Sequence, residues 1–244
     1  MFTANILRGP LVAAALALPG LSGAAISPAL SETVRQLAQA QSQNLEAIFQ
    51  QVHANPELAF QLDETAALVA KKLKKMGYKV HTGIAQTGLA AVLKNGEGPV
   101  IMFRSDMDAL PVKEDSGLPY ASKKQVTLDD GSSQYVSHAC GHDAHTAWLL
   151  GIAKVMMETR DSWSGTLVLV GQPAEELIAG AQAMVDDGLY DKVPEPSLLI
   201  SAHIYPVWPS GTVAVKAGRR MAGSDQLDVH PVSYTHLRAH ETCH

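Results

Sequence analysis

The sequence predicts an α/β fold in which helices cover both faces of a sheet. Short, uninterrupted apolar stretches at 100–103, 166–170 and 198–200 read as buried strands. Segments with helical spacing alternate with them along the chain. The composition agrees: 46% apolar and 18% charged residues over 244 positions suffice for a large core and describe no disordered bulk.

The chain opens with Arg8, an apolar stretch at 11–18, a Pro19-Gly20 break and the small residues Ser22, Gly23, Ala24 and Ala25. This is the layout of a signal peptide, too short for a stable membrane span. Residues 1–25 are therefore expected to be a removable leader, which places the mature protein in a periplasm or outside the cell. A helix is predicted over 32–51, with Val34, Leu37, Leu45, Ile48 and Phe49 on one face, and Pro56 interrupts it. A second is predicted over 63–76, using Ala66, Leu68, Val69, Leu73 and Met76, with Gly77 as its stop. Strands at 89–93 and 100–103 flank the Asn95-Gly96 pair, which predicts a hairpin between them. A buried helix over 146–157 leads through 162–165 into the strand 166–170. A helix over 179–187 and the strand 198–200 follow.

A formal charge of -5, with no basic block beyond Lys71-Lys72-Leu73-Lys74-Lys75, gives no support for a nucleic-acid partner, and none is expected. That basic stretch reads as the solvated face of a helix. Two cysteines, Cys140 and Cys243, give no disulfide framework.

In α/β folds the carboxyl ends of the strands carry the chemistry. Asp106 and Asp108 follow the strand at 100–103, Glu175 and Glu176 follow 166–170, and His203 follows 198–200. Cys140 and His142, within a run that also holds His138 and His145, precede a helix whose N-terminus favours a thiolate or carboxylate. Four segments thus bring nitrogen, sulfur and oxygen donors toward one sheet edge, a donor set suited to divalent ions and hydrolysis. Adjacent Glu175 and Glu176 point apart in extended chain, so one can bind metal while the other carries a proton. Asp108 is expected to accept a hydrogen bond from a liganding imidazole, and Arg104 to serve as an ion-pair partner. Thiolate favours zinc, while the carboxylates and imidazoles also suit manganese, cobalt or nickel. A non-catalytic metal-binding or assembly module is the rival reading. A Cys-His protease is disfavoured, because no oxyanion-hole signal accompanies Cys140 and Glu175-Glu176 would be left without a role.

The segments Arg104-Ser105-Asp106-Met107-Asp108-Ala109-Leu110-Pro111, His138-Ala139-Cys140-Gly141-His142-Asp143, Gln172-Pro173-Ala174-Glu175-Glu176 and Ala202-His203 resemble, in order and spacing, a family of metal-dependent amidohydrolases. That family includes hippurate hydrolase, N-acyl amino acid amidohydrolases and auxin-conjugate hydrolases, within the aminoacylase and carboxypeptidase clan. His53-Ala54-Asn55-Pro56-Glu57-Leu58 and the stretch from Pro111 through Glu114 to Tyr120 strengthen the resemblance. It implies a catalytic domain with a mixed sheet flanked by helices, interrupted by a smaller lid domain used for homodimer contacts. It also implies a site of two divalent ions in which Cys140, His142, Glu176 and His203 are ligands, Glu175 is the general base and Asp108 the orienting carboxylate. Asp106 stands where other branches of the clan place a histidine ligand. The implied substrates are N-acyl amino acids or small peptide-like conjugates.

On this pattern residues 26–221 form the N-terminal part of the catalytic domain and 222–229 begin the lid. Residues 230–244 lack periodicity, depart from the family pattern and read as an appended tail. Most of the lid, the rest of the sheet and a final histidine ligand are then expected to be missing, leaving this chain inactive as it stands.

Overall fold

The computed structural model describes residues 26–127, 131–207 and 209–218. The expected leader at 1–25, lid start at 222–229 and tail at 230–244 lie outside them. The chain divides into one compact unit ending at Ile204 and another from Tyr205. Every helix and strand among the described residues belongs to the first; residues 205–207 and 209–218 form turns and irregular chain.

Helix α1 spans Pro28–Ala54 and is longer than its predicted 32–51. Ser27 accepts a hydrogen bond from the Leu30 amide at 3.2 Å. Pro28 sits in the first turn, where a missing N–H costs nothing. Only Ile48 and Val52 are buried, so the C-terminal half anchors the helix. Helix α2, Asp63–Lys75, carries Asp63 and Glu64 in its first turn and Lys72, Lys74 and Lys75 in its last, complementing the helix dipole. Its Ala66, Val69, Ala70 and Leu73 enter the core, and Gly77 leaves the helix at φ +92°, a conformation that favours glycine.

The N-cap position of α2 is Leu62, which has no polar side chain to offer. Glu57 takes over that role from six residues before the helix: its two carboxylate oxygens accept the amides of Glu64 at 3.1 Å and Thr65 at 2.8 Å. Because Glu57 is buried, no water can replace it. Glu57→Ala is expected to lower stability by about 1–3 kcal/mol, read as a shifted urea midpoint with an unchanged slope.

The sheet has the order β1-β2-β6-β3-β7, built from β1 Lys79–Ile84, β2 Gly88–Asn95, β3 Val100–Asp106, β6 Gly165–Gln172 and β7 Leu198–Ser201. It is mixed: β1, β2 and β6 pair antiparallel, whereas β6, β3 and β7 run parallel. The predicted hairpin between β2 and β3 is therefore wrong. Strand β6, buried along nearly its whole length, lies between them and takes both sets of main-chain partners. The Asn95 side chain instead donates to the carbonyls of Arg160 and Trp163 at 2.7 and 2.6 Å. The actual hairpin joins β1 to β2 through residues 85–87, with Ala85 and Gln86 at φ +50° and +69°.

Alternation along the strands divides the core. Leu89, Ala91 and Leu93 of β2, with Leu167, Leu169 and Phe103, pack against α1, α2 and helix α3, His142–Glu158. Ala90, Val168, Val170 and Met102 face Met184 of α4, Gly180–Asp186, and Leu189 of α5, Leu189–Lys192. Each fully buried leucine contributes about 1.5–3 kcal/mol relative to exposure. A two-stranded ribbon of β4, Gln125–Thr127, and β5, Ser133–Tyr135, stands apart from the sheet. Strand β7 is present where predicted but not buried: with β3 its one neighbour among the described residues, it leaves Leu198, Leu199 and Ile200 about half exposed.

Candidate metal centre

The parallel register fixes where the donors emerge. Asp106 is paired with Gln172 and Arg104 with Ser201, so β3, β6 and β7 end side by side. Asp108, Glu175-Glu176 and His203 leave those ends within a few residues. Cys140 and His142 arrive from the N-terminus of α3, where Gly141 is left-handed at φ +81°. A Cβ there would approach the Ile204 side chain to 3.2 Å, so both backbone conformation and space favour glycine at this turn.

His142 is the hub. Its ring is fully buried, and Nδ1 donates to the main-chain carbonyl of Asp108 at 2.8 Å. That bond leaves the lone pair on Nε2, which is buried without a hydrogen-bond partner and lies 3.7 Å from Glu175 and 3.9 Å from Glu176. Three donor groups meet at this ring: Cys140, His142 and His203; Asp106, His142 and His145; and His142, Glu175 and Glu176, each with its donor atoms within 4.8 Å of one another. Burial opposes charge on His142, but the hydrogen bond to Asp108 and the charges of Asp106 and Asp108 outweigh it and raise its pKa.

Asp108 accepts the hydrogen bond from His142 through its main-chain carbonyl, and its carboxylate lies 3.4 Å from the same Nδ1. The carboxylate accepts the main-chain amides of Glu175 at 3.1 Å and Glu176 at 3.0 Å. Asp108 thus fixes both the ring and the backbone that presents the two glutamates. Burial would raise its pKa, but His142 and the two amides hold it below the usual carboxylate range.

Cys140 Sγ lies 3.5 Å from His203 Nε2. His203 Nδ1 is engaged with the carbonyl of Ile204 at 2.6 Å, which points the other nitrogen's lone pair at the sulfur. Burial, together with the negative charges of Glu176, Glu175 and Asp106, pushes the Cys140 thiol up to about 12. Burial also raises Glu176, whose Oε1 has no hydrogen-bond partner. Two nitrogen lone pairs, a thiol and several carboxylates packed this tightly repel one another, and a cation relieves that repulsion. The residues present therefore fit divalent ions.

Arg104 forms the expected ion pair, its Nε and Nη2 both donating to Asp106 Oδ1 at 2.8 and 2.6 Å. His145, to which the sequence pattern assigns no role, lies with its ring tilted 5.1 Å from His142 and edge-on 4.5 Å from His203. It accepts the Ile204 amide at 3.1 Å, and burial with neighbouring His142 and His203 pulls its pKa down to about 3. The three-residue spacing from His142 on one helix was the signal that places it there. His138 is buried with both nitrogens unpartnered and, chiefly through burial, is pulled down to about 3. Nothing in the sequence pattern marked that environment.

Comparison with known proteins agrees with this geometry. The family model for peptidase family M20/M25/M40 matches residues 102–242, more than half of the chain. Hippurate hydrolase of Campylobacter jejuni is 42% identical over 185 residues, covering 75% of this chain and 45% of that protein. N-acetyl-L-cysteine deacetylase of Bacillus subtilis is 41% identical over 179 residues, covering 73% and 40%. The Bacillus subtilis YXEP protein, described as a dinuclear metal binding peptidase from the M20 family, superposes with a TM-score of 0.64 at 35% identity, covering 73% of this chain and 47% of that one. The chain spans less than half the length of each of these relatives. With the mixed sheet, the strand-end donors and the His142 hub in place, the chain belongs to peptidase family M20/M25/M40.

Proposed function

We propose that this chain supplies the ligand-bearing part of a metal-dependent amidohydrolase that cleaves N-acyl amino acids or small peptide-like conjugates. The observation that carries the reading is the convergence of three donor groups on His142, whose buried Nε2 has no protein partner. Cys140, His142, Glu176 and His203 would hold two divalent ions, with Asp106 and His145 in the same cluster. Thiolate and imidazole suit zinc, and the carboxylates suit manganese, cobalt or nickel. Such ions polarise a carbonyl and acidify water at neutral pH.

The protein's own part is positioning and proton transfer. Glu175, with 35% of its side chain exposed and an oxygen 3.7 Å from His142 Nε2, stays accessible to water beside the cluster. It takes the proton of the attacking water and returns it to the leaving nitrogen. Asp108 keeps Glu175 in place through its amide. The likeness to hippurate hydrolase and N-acetyl-L-cysteine deacetylase supports the substrate class. The leader-like segment at 8–25, which lies outside the described residues, supports a periplasmic or secreted location. Among the described residues no helix is long and apolar enough to cross a membrane.

The Cys140–His203 contact favours a thiol nucleophile as a second reading, but an activated cysteine needs a lowered pKa and this one is raised. Zinc or manganese loading of a full-length protein that carries this segment, followed by a panel of N-acyl amino acids, tests the proposal. Release of free amino acid that a chelator abolishes is expected. Stoichiometric metal without hydrolysis of any member leaves a non-catalytic metal-binding module, and hydrolysis indifferent to chelator but lost on alkylation returns the thiol reading.

A further inference from the structure

The site described so far makes no use of His53, on the last turn of α1. Its imidazole bridges two carboxylates from distant parts of the chain: Nδ1 to Asp143 Oδ2 at 2.6 Å and Nε2 to Glu114 Oε1 at 2.9 Å. All three side chains are nearly enclosed, at 12%, 3% and 9% exposure respectively. The rings of Phe49 and Tyr120 pack around the imidazole at 5.6 and 5.2 Å.

A neutral imidazole has one N–H and one lone pair, so it can donate to only one of these carboxylates. Two short contacts need a proton in each; an imidazolium between two carboxylates supplies both, as does a neutral ring facing one protonated carboxyl, and either arrangement keeps the ring bridged. Glu114 also accepts the Ser122 amide and the Ser116 hydroxyl, which closes the 114–122 loop on itself. Asp143 follows His142 directly, and its other oxygen accepts the Ala144 amide at 2.8 Å in the first turn of α3. One ring therefore ties together the end of α1, the 107–124 loop and the turn that carries Cys140 and His142.

We propose that His53 is a positioning residue of the metal centre: by bridging Asp143 and Glu114, it holds the N-terminal turn of α3 in register with the 107–124 loop. This rests on the metal-dependent reading above. The His142–Asp108 hydrogen bond and the Leu110–Ser137 bridge already join the start of this loop to the Cys140–His142 turn; the His53 bridge adds the Glu114 end of the loop and fastens both to α1. Residues that orient metal ligands from behind typically change metal affinity 10- to 100-fold when removed.

The test uses cobalt(II) as the probe, followed by its thiolate charge-transfer absorption, on the 244-residue chain. His53→Gln keeps the volume but donates in one direction only. It is expected to weaken cobalt binding by about 10–100-fold with far-UV circular dichroism unchanged. Glu114→Gln keeps one accepting oxygen but turns its NH2 toward the Ser122 amide, so it should fall between the parent protein and Glu114→Leu, which should reproduce the loss. In the metal-free chain, His53→Gln should speed hydrogen exchange by about tenfold or more in both 107–124 and 140–144, as expected when a local tie is released. A folded His53→Gln protein with parent cobalt affinity and parent exchange overturns the proposal. A parent chain that gives no thiolate–cobalt band overturns the metal reading instead, and the exchange measurement then judges His53 alone.

Discussion

In a full-length protein that carries this segment, Glu175→Gln is expected to lower kcat by about 10²–10⁴-fold while the metal content stays at the parent level. The two neighbouring glutamates differ in the features that separate a ligand from a proton carrier. Glu176 is the more enclosed, with 16% of its side chain exposed against 35% for Glu175, and its Oε1 is buried without a hydrogen-bond partner. An enclosed oxygen with an unmet interaction is suited to a cation. The open one can meet water and a substrate nitrogen. Because Asp108 holds both residues through main-chain amides, the substitution removes the carboxylate without releasing the backbone. Glu176→Gln should show the complementary pattern, a loss of metal affinity that precedes any loss of turnover. Steady-state kinetics paired with metal analysis on both variants decides the assignment: metal lost from Glu175→Gln but retained in Glu176→Gln would exchange the two roles.

The donors were legible in the sequence because the rule that places them is local. Asp106, Asp108, Glu175, Glu176 and His203 each follow an apolar stretch closely enough that strand-end position can be counted from the residues themselves. Cys140 and His142 are tied to a helix start by the same counting, and Asn95-Gly96 shows its limit. A turn-forming pair between two apolar runs satisfies every local criterion for a hairpin, yet β6, from 70 residues further on, pairs with both strands. That pairing follows from how much apolar surface β6 buries, which a window of ten residues cannot weigh. Strand β1 was invisible for the opposite reason: Lys79-Val80-His81-Thr82-Gly83-Ile84 is largely polar and is a strand because β2 lies beside it. The His53 bridge joins residues 61 and 90 positions apart, and only the finished fold brings them together. Glu57 is subtler still. It was visible within a motif, but its work as a remote cap for α2 follows from Leu62 occupying the cap position.

The largest stability effect is expected at Asp108. Its carboxylate is wholly buried and accepts two main-chain amides beside the His142 ring, so removal leaves two buried donors and a buried imidazole without their anion. Asp108→Ala should cost about 3–5 kcal/mol, the range for breaking a buried charged pair from one side. Asp108→Asn should also destabilise, since its amide nitrogen would face a main-chain N–H and set donor against donor. The pH dependence provides an independent check in chelated protein. Because the folded-state pKa of Asp108 is lowered, the unfolded chain binds its proton first on acidification. The stability that this group contributes is complete above its ordinary value of about 4, and it is lost as the pH falls through the folded value. Urea midpoints from pH 7 down to pH 3 should therefore fall less steeply for Asp108→Asn than for the parent protein, even though the variant starts lower. Parallel curves for the two proteins would mean that the charge of Asp108 does not stabilise the fold, leaving its hydrogen bonds alone to hold Glu175 and Glu176 in place.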